Sequence, residues 1–129
     1  MSERSTTHSM PQSPHIAVYR WRPPMIASLA HRASGIVLLG FALFLLCLVI
    51  IAHNGNADAY HALQQWLHHP IGYGFLLLSG MAVIYHSING ARFLLLDLGI
   101  GESRQQMRFS AKLSLASAIV GLLIMVIWL

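Results

Sequence analysis

Charge is what this sequence has least of. Only 9% of its 129 residues are Asp, Glu, Lys or Arg, against about a quarter in a soluble domain. Hydrophobic residues make up 56%. That balance excludes an ordinary water-soluble domain and indicates an integral membrane protein. Acidic residues are scarcest, four against eight Lys and Arg, for a net charge of +4. Such an excess can mark nucleic-acid binding, but these cations flank apolar runs and form no basic face, so no nucleic-acid partner is expected. There is a single cysteine, Cys47, which rules out an intrachain disulfide and a paired-Cys metal or redox motif. It reads as a small buried hydrophobe in the first apolar run. Met1–Arg22 has no apolar stretch of signal-peptide type, so no cleavable signal is expected there. Internal repeats are also missing.

What the chain does have is three long apolar segments. They predict an all-α membrane protein with transmembrane helices at about 25–52, 71–97 and 109–128. Three helices shield little from lipid by themselves, so the chain is expected to be part of a heteromeric helix bundle. Residues 1–24 form a separate N-terminal segment, where Pro11, Pro14, Pro23 and Pro24 prevent a continuous helix. Tyr19 and Trp21 alternate there with Arg20 and Arg22, a mixture suited to the headgroup zone.

The distribution of cations gives the expected topology. Arg4, Arg20, Arg22 and Arg32 precede or open the first helix, and Arg92, Arg104, Arg108 and Lys112 flank the second loop. The first loop, His53–Pro70, and the C-terminus carry none. The positive-inside rule puts the N-terminus in the cytoplasm and the C-terminus on the far side. Within the first loop, Tyr60, Leu63, Trp66 and Leu67 recur at helical spacing and predict a short amphipathic helix in the far interface. His53, His61, His68 and His69 match no compact zinc spacing and read as solvated loop residues. Gly99 and Gly101 suit a helix stop.

The stretch Tyr85–Asp97 concentrates the chemistry. His86 lies well inside the second apolar segment, and an ionisable residue at that depth is a functional candidate because hydrocarbon disfavours it. Ser79, His86, Gly90, Phe93 and Asp97 fall on one helical stripe, with Ala82 beside it. Small residues on either side of a histidine leave room for something flat, and a porphyrin held through the imidazole is the leading candidate. The alternative is a histidine that hydrogen-bonds a neighbouring helix. Tyr85, Ser87, Asn89 and Arg92 make this half-helix polar, so it should face protein or a cofactor rather than lipid.

A second polar cluster opens the first helix. Ser28 and Arg32 are four apart on one face, and His31 lies one turn from Ser28. Counting from Asp97 puts His86 roughly 16 Å deep, whereas His31 is expected only a turn or so below the same surface. That difference argues against one iron bound by both histidines. A porphyrin on His86 would direct its carboxylates toward His31 and Arg32, and its second axial ligand would come from another chain. Two imidazoles leave no open position on the iron, which favours electron transfer over oxygen chemistry. Ser28 and Arg32 could together bind the carbonyl oxygens of a quinone and stabilise negative charge formed there on reduction. Taken singly, Ser28 reads as a helix-start cap and Arg32 as a snorkelling topology marker; it is Ser28, His31 and Arg32 together on adjoining faces of one helix that favour a site.

Two motifs carry a resemblance. Ser28-x-x-His31-Arg32-x-Ser34-Gly35 and His86-x-x-x-Gly90-x-Arg92-x-x-x-x-Asp97 resemble the signatures of the cytochrome b556 subunit of succinate dehydrogenase, complex II. Ser13-Pro14-His15 with Tyr19-Arg20 is similar to that family's N-terminal segment, so the resemblance covers about residues 11–129. It implies one of two small membrane anchors for a flavoprotein and an iron–sulfur subunit, in a bacterial inner membrane, with a periplasmic C-terminus. It implies that His86 is an axial ligand of a haem b shared with the second anchor, and that His31 and Arg32 lie by the haem propionates. Ser28 and Arg32 would belong to the quinone site. Electrons from succinate would reach quinone through FAD and iron–sulfur clusters held by the partners, so this chain is not catalytic alone. Met10 and Leu96 depart from the family pattern without touching these positions. The competing expectation is a purely structural, haem-free anchor for a peripheral enzyme. A channel subunit fits less well, since the third helix has almost no polar residues.

Overall fold

The two adjoining prolines fix where the helices begin. In a computed structural model, which describes residues 13, 15, 18, 20–55 and 57–128, helix α1 spans Pro23–His53 with both prolines in its first turn. It thus starts two residues before the expected position 25. Proline is tolerated there because the first-turn N–H groups have no intrahelical partner in any case. The short helix α2 spans Ala57–His68, α3 spans Pro70–Asp97 and α4 spans Arg104–Trp128. Tyr19 and most of the N-terminal segment, including Pro11 and Pro14, lie outside the described residues.

The loops have local causes. His69 caps α3 by accepting from the Ile71 N–H at 3.3 Å, which gives one of the loop histidines a structural task. Gly55, Gly99 and Gly101 have φ of 61°, 77° and 85°, the left-handed region that only glycine enters without strain. Ser103 then opens α4 as a side-chain cap. Its Oγ accepts from the Gln106 N–H at 3.3 Å and donates to the Gln106 side chain at 2.9 Å. The strength of that start brings α4 forward to Arg104, five residues earlier than expected. Arg104, Arg108 and Lys112 therefore ride on the first two turns of a helix instead of in a loop.

Helices α1, α3 and α4 are each long and apolar enough to cross a bilayer, and each packs against the other two. Their interior is the reverse of a soluble core. The buried residues include Ala27, Ala82, Ala111, Ser79, Asn89 and Ser114, while Leu, Ile and Val side chains cover the outside. In lipid there is no hydrophobic drive between helices, so small residues that permit close approach and polar residues that bond across the seam take over. On α1 only Ala27 and Ser34 are buried. Cys47 is consequently exposed on the outer face rather than buried. Helix α2 packs on the far end of the bundle, where Trp66 and Phe44 meet Phe75 at ring-centroid distances of 5.9 and 5.2 Å.

Close approach depends on particular glycines. A Cβ at Gly72 would collide with the Trp66 carbonyl, one at Gly80 would meet the Met125 side chain, and one at Gly121 would lie 3.2 Å from Ile84. Gly74, by contrast, faces open space. Overpacking of a tight seam costs about 1–3 kcal/mol. We expect Gly121→Leu to lower the thermal stability of the detergent-purified protein by that order, and Gly74→Ala to leave it unchanged. A melting series on the two variants checks both expectations.

Candidate functional site

The buried stripe of α3 runs through Ala82, Tyr85, Asn89 and Arg92. The stripe through His86, Gly90 and Phe93 lies one residue further round, and all three are half-buried, with Asp97 exposed. Of the polar residues in this half-helix, Ser87 is the one turned outward. His86 therefore stands at the edge of the α1–α3 seam, not at the bundle's centre.

A clamp holds that seam. The Tyr85 hydroxyl donates to the Ala27 carbonyl at 2.8 Å, and the Asn89 Nδ2 reaches the same carbonyl at 3.4 Å. Tyr85 and Asn89 are one turn apart, so both point at one spot on α1. Ala27 has only a methyl group as side chain, too small to hold them off, and is fully buried. Nothing in the apolar periodicity marks Ala27, since the receiving group is its backbone. The Asn89 Oδ1 and the Ser79 Oγ are buried without a partner.

One turn further along α1, the same seam brings His31 and His86 together. Their rings stack with centroids 3.9 Å apart and planes 15° from parallel, and the Phe93 ring meets His31 edge-on at 5.3 Å. The expected difference in depth is thus absent. His31 is eight residues into a helix that starts at Pro23, which places it about 12 Å along the axis. That is close to the depth of His86 measured from the other helix. Face-to-face rings in van der Waals contact leave no space for a metal ion between them, so the pair does not form a two-histidine site within this chain.

The bonds around His86 fix its tautomer. The Ser34 hydroxyl donates to the His31 carbonyl at 2.7 Å. Its oxygen also lies 3.0 Å from the His86 Nδ1, which is in turn 3.2 Å from that carbonyl. With the hydroxyl proton committed to the carbonyl, both contacts at Nδ1 are acceptors. In the neutral ring Nδ1 therefore carries the proton, and Nε2 has the lone pair. This is the arrangement of a metal-ligating histidine, whose second nitrogen is held by a carbonyl or hydroxyl. Coordination uses a lone pair in the ring plane, so stacking by His31 on the face does not block it. Gly35 and Gly90 complete the fit: a Cβ at either would lie 3.3 Å from the His86 Cε1 or 3.5 Å from the His31 Cε1. The His31 Nδ1 is buried and has no hydrogen-bond partner, so a donor or acceptor is wanted there.

The other sequence-derived residues are near but separate. Ser28 is half-buried on α1, and Arg32 is exposed one turn later. Arg92 takes no part in the histidine pair. It turns to α4, donating from Nε to the Ser110 Oγ at 3.0 Å and from Nη2 to the Met107 carbonyl at 3.4 Å. Sequence reasoning missed Ser34 as the partner of His86. The available signal was that Ser34 follows His31 by three residues, so both face the same neighbour.

The fold and this site define a class: a multi-pass helical membrane protein with a histidine pair set between two spans. Comparison with known proteins narrows the class. Residues 6–125 match the family described as succinate dehydrogenase/fumarate reductase transmembrane subunit. The chain is 35% identical over 100 residues to the succinate dehydrogenase cytochrome b560 subunit, mitochondrial, of Mus musculus, covering 77% of this chain and 59% of that one. It is 32% identical over 115 residues to the succinate dehydrogenase cytochrome b556 subunit of Paracoccus denitrificans, covering 85% and 84%. The same subunit of Coxiella burnetii is 31% identical over 118 residues, covering 83% and 86%. The chain thus spans under two thirds of the mouse relative's length. It belongs to the succinate dehydrogenase/fumarate reductase transmembrane subunit family, the cytochrome b membrane anchors of complex II.

The clamp on Ala27 is open to test. A neutral hydrogen bond contributes about 0.5–1.5 kcal/mol. Tyr85→Phe is expected to destabilise the α1–α3 seam by that order. Tyr85→Phe with Asn89→Ala should cost more, because the Ala27 carbonyl then loses both partners. Amide hydrogen exchange at the start of α1 measures the loosening.

Proposed function

We propose that this chain is the anchor that carries one axial ligand of a haem b and part of a quinone site in a succinate:quinone oxidoreductase. The observation that carries the proposal is the bonding of His86, whose Nδ1 lies 3.0 Å from the Ser34 Oγ and 3.2 Å from the His31 carbonyl, an arrangement that turns Nε2 of the neutral ring into the lone-pair nitrogen. Haem b, when bound, supplies a one-electron store within the membrane. His86 would hold its iron through Nε2. Among the described residues no second imidazole can reach the same metal, so the other ligand would come from a second anchor subunit. The half-buried stripe of His86, Gly90 and Phe93 is the edge such a subunit would cover.

The orphaned His31 Nδ1 and the exposed Arg32 guanidinium suit the propionates, the arginine by paired charge-assisted bonds. Ser28, one turn from Arg32, would donate to a quinone carbonyl. Arg32 would stabilise the negative charge that builds on that oxygen as electrons arrive, and low local dielectric strengthens both effects. A flavoprotein and an iron–sulfur subunit would oxidise succinate and deliver the electrons. The cations at the chain's start and around the second loop support a cytoplasmic N-terminus in a bacterial inner membrane and a periplasmic C-terminus.

A second reading rests on the stacked pair itself. A histidine that bonds Ser34 and packs on His31 also serves a haem-free anchor. One spectrum separates the two. His86→Ala in the intact complex is expected to remove the low-spin b-type band from the reduced-minus-oxidised difference spectrum. An unchanged band overturns the ligand assignment. Ser28→Ala and Arg32→Leu are expected to lower quinone reduction by about tenfold or more, the loss that follows from removing a donor to developing charge. Succinate oxidation with an artificial acceptor should persist in both, and normal quinone kinetics would count against the site.

A further inference from the structure

Arg92 is the least expected charge in the molecule. It is 8% exposed and lies on a membrane-spanning helix. Its bonded partners are a hydroxyl and a carbonyl, both uncharged, and its Nη1 is buried with no partner. An unpaired cation in a low-dielectric setting is costly unless a counter-charge reaches it. The side chain borders a 1410 Å³ groove between α3 and α4. Arg104, Arg108 and Lys112 line the same groove, and no Asp or Glu does. Asp97 and Glu102 are exposed and stand outside that lining. The early start of α4 is what stacks these three cations, at four-residue spacing, along one side.

The groove is not part of the histidine site. Arg92 is six residues past His86, so their directions on α3 differ by about 120°. His86 faces α1, and Arg92 faces α4.

We propose that this groove binds the phosphate of an anionic phospholipid. Four cations and a vacant guanidinium N–H ask for a compact anion with several acceptor oxygens, and guanidinium forms paired bonds with phosphate. The groove lies at the basic end of the bundle, where the headgroups of a bilayer are within reach of Arg104 and Arg108. Leu95 and Leu113 also line it, a surface that suits acyl chains and would gain nothing from a free inorganic ion. Arg92 is the buried cation and neutralises the phosphate from within the α3–α4 seam, while the exposed Arg104, Arg108 and Lys112 flank it along α4.

The test uses the whole complex, purified in mild detergent and stripped of loosely held lipid. Dioleoylphosphatidylglycerol and dioleoylphosphatidylcholine are added in equal amounts, and bound lipid is counted by native mass spectrometry. The wild type should retain phosphatidylglycerol preferentially. Arg92→Gln should weaken that retention by about tenfold or more, as loss of charge-assisted bonds implies. Should Arg92→Gln not fold, the combined Arg104→Gln, Arg108→Gln and Lys112→Gln variant, altered only at exposed positions, should show the same loss. Arg22→Gln, exposed at the same end but outside the groove, should retain lipid as the wild type does. Equal retention of the two lipids overturns the proposal, as does undiminished retention in the groove variants. An equal loss in Arg22→Gln would mean general surface attraction and overturns it too. If inorganic phosphate raises the melting temperature as much as phosphatidylglycerol, the site is one for free phosphate and the lipid assignment fails.

Discussion

A polar group in hydrocarbon has no water to fall back on, so it must find its partner inside the protein. That constraint shapes everything in the inner seam of this molecule. The Ala27 carbonyl receives both Tyr85 and Asn89, and the Ser34 hydroxyl bridges the His31 carbonyl and the His86 ring. The seam is narrow because its contact positions are Ala and Ser. The bonds form because the seam is narrow. Leucines and isoleucines, which would build the core of a soluble bundle, are left to face lipid.

Besides the Ser79 Oγ and the Asn89 Oδ1, the unpartnered groups form two sets. At the α1–α3 edge it is the His31 Nδ1, stacked beside His86. Between α3 and α4 it is the Arg92 Nη1. The two sets lie against different faces of one helix and call for different chemistry. The first sets a hydrogen-bonded imidazole beside a second one whose Nδ1 is unsatisfied. The second offers only positive charge and donors. A single helix thereby faces two neighbours, because a six-residue step turns its side chains from α1 to α4.

Three spans are also too few to enclose a flat macrocycle. Of α1, only Ala27 and Ser34 are buried, so most of that helix is available to lipid or to other subunits. The stacking of His31 on His86 keeps this edge ordered, because the two aromatic faces cover each other. Membership of the complex II anchor family accords with a chain whose site is completed by partners.

Much was legible in the residues. Scarce charge and long apolar runs determine three spans. The prolines at 23 and 24 determine where the first begins, and the spacing of Tyr60, Leu63 and Trp66 determines the short connecting helix. His86, His31, Arg32 and Ser28 stand out because polar side chains inside apolar runs are rare and costly, whatever the fold. What only the tertiary structure decided is which of them meet. Depth counted along separate helices kept His31 and His86 apart, yet the registry of α1 on α3 stacks them, because Tyr85 and Asn89 seize a backbone carbonyl that no side-chain pattern reveals. The turn of Arg92 toward α4 was hidden for the same reason. A helix determines which residues share a face, but only packing against its neighbours determines what that face touches.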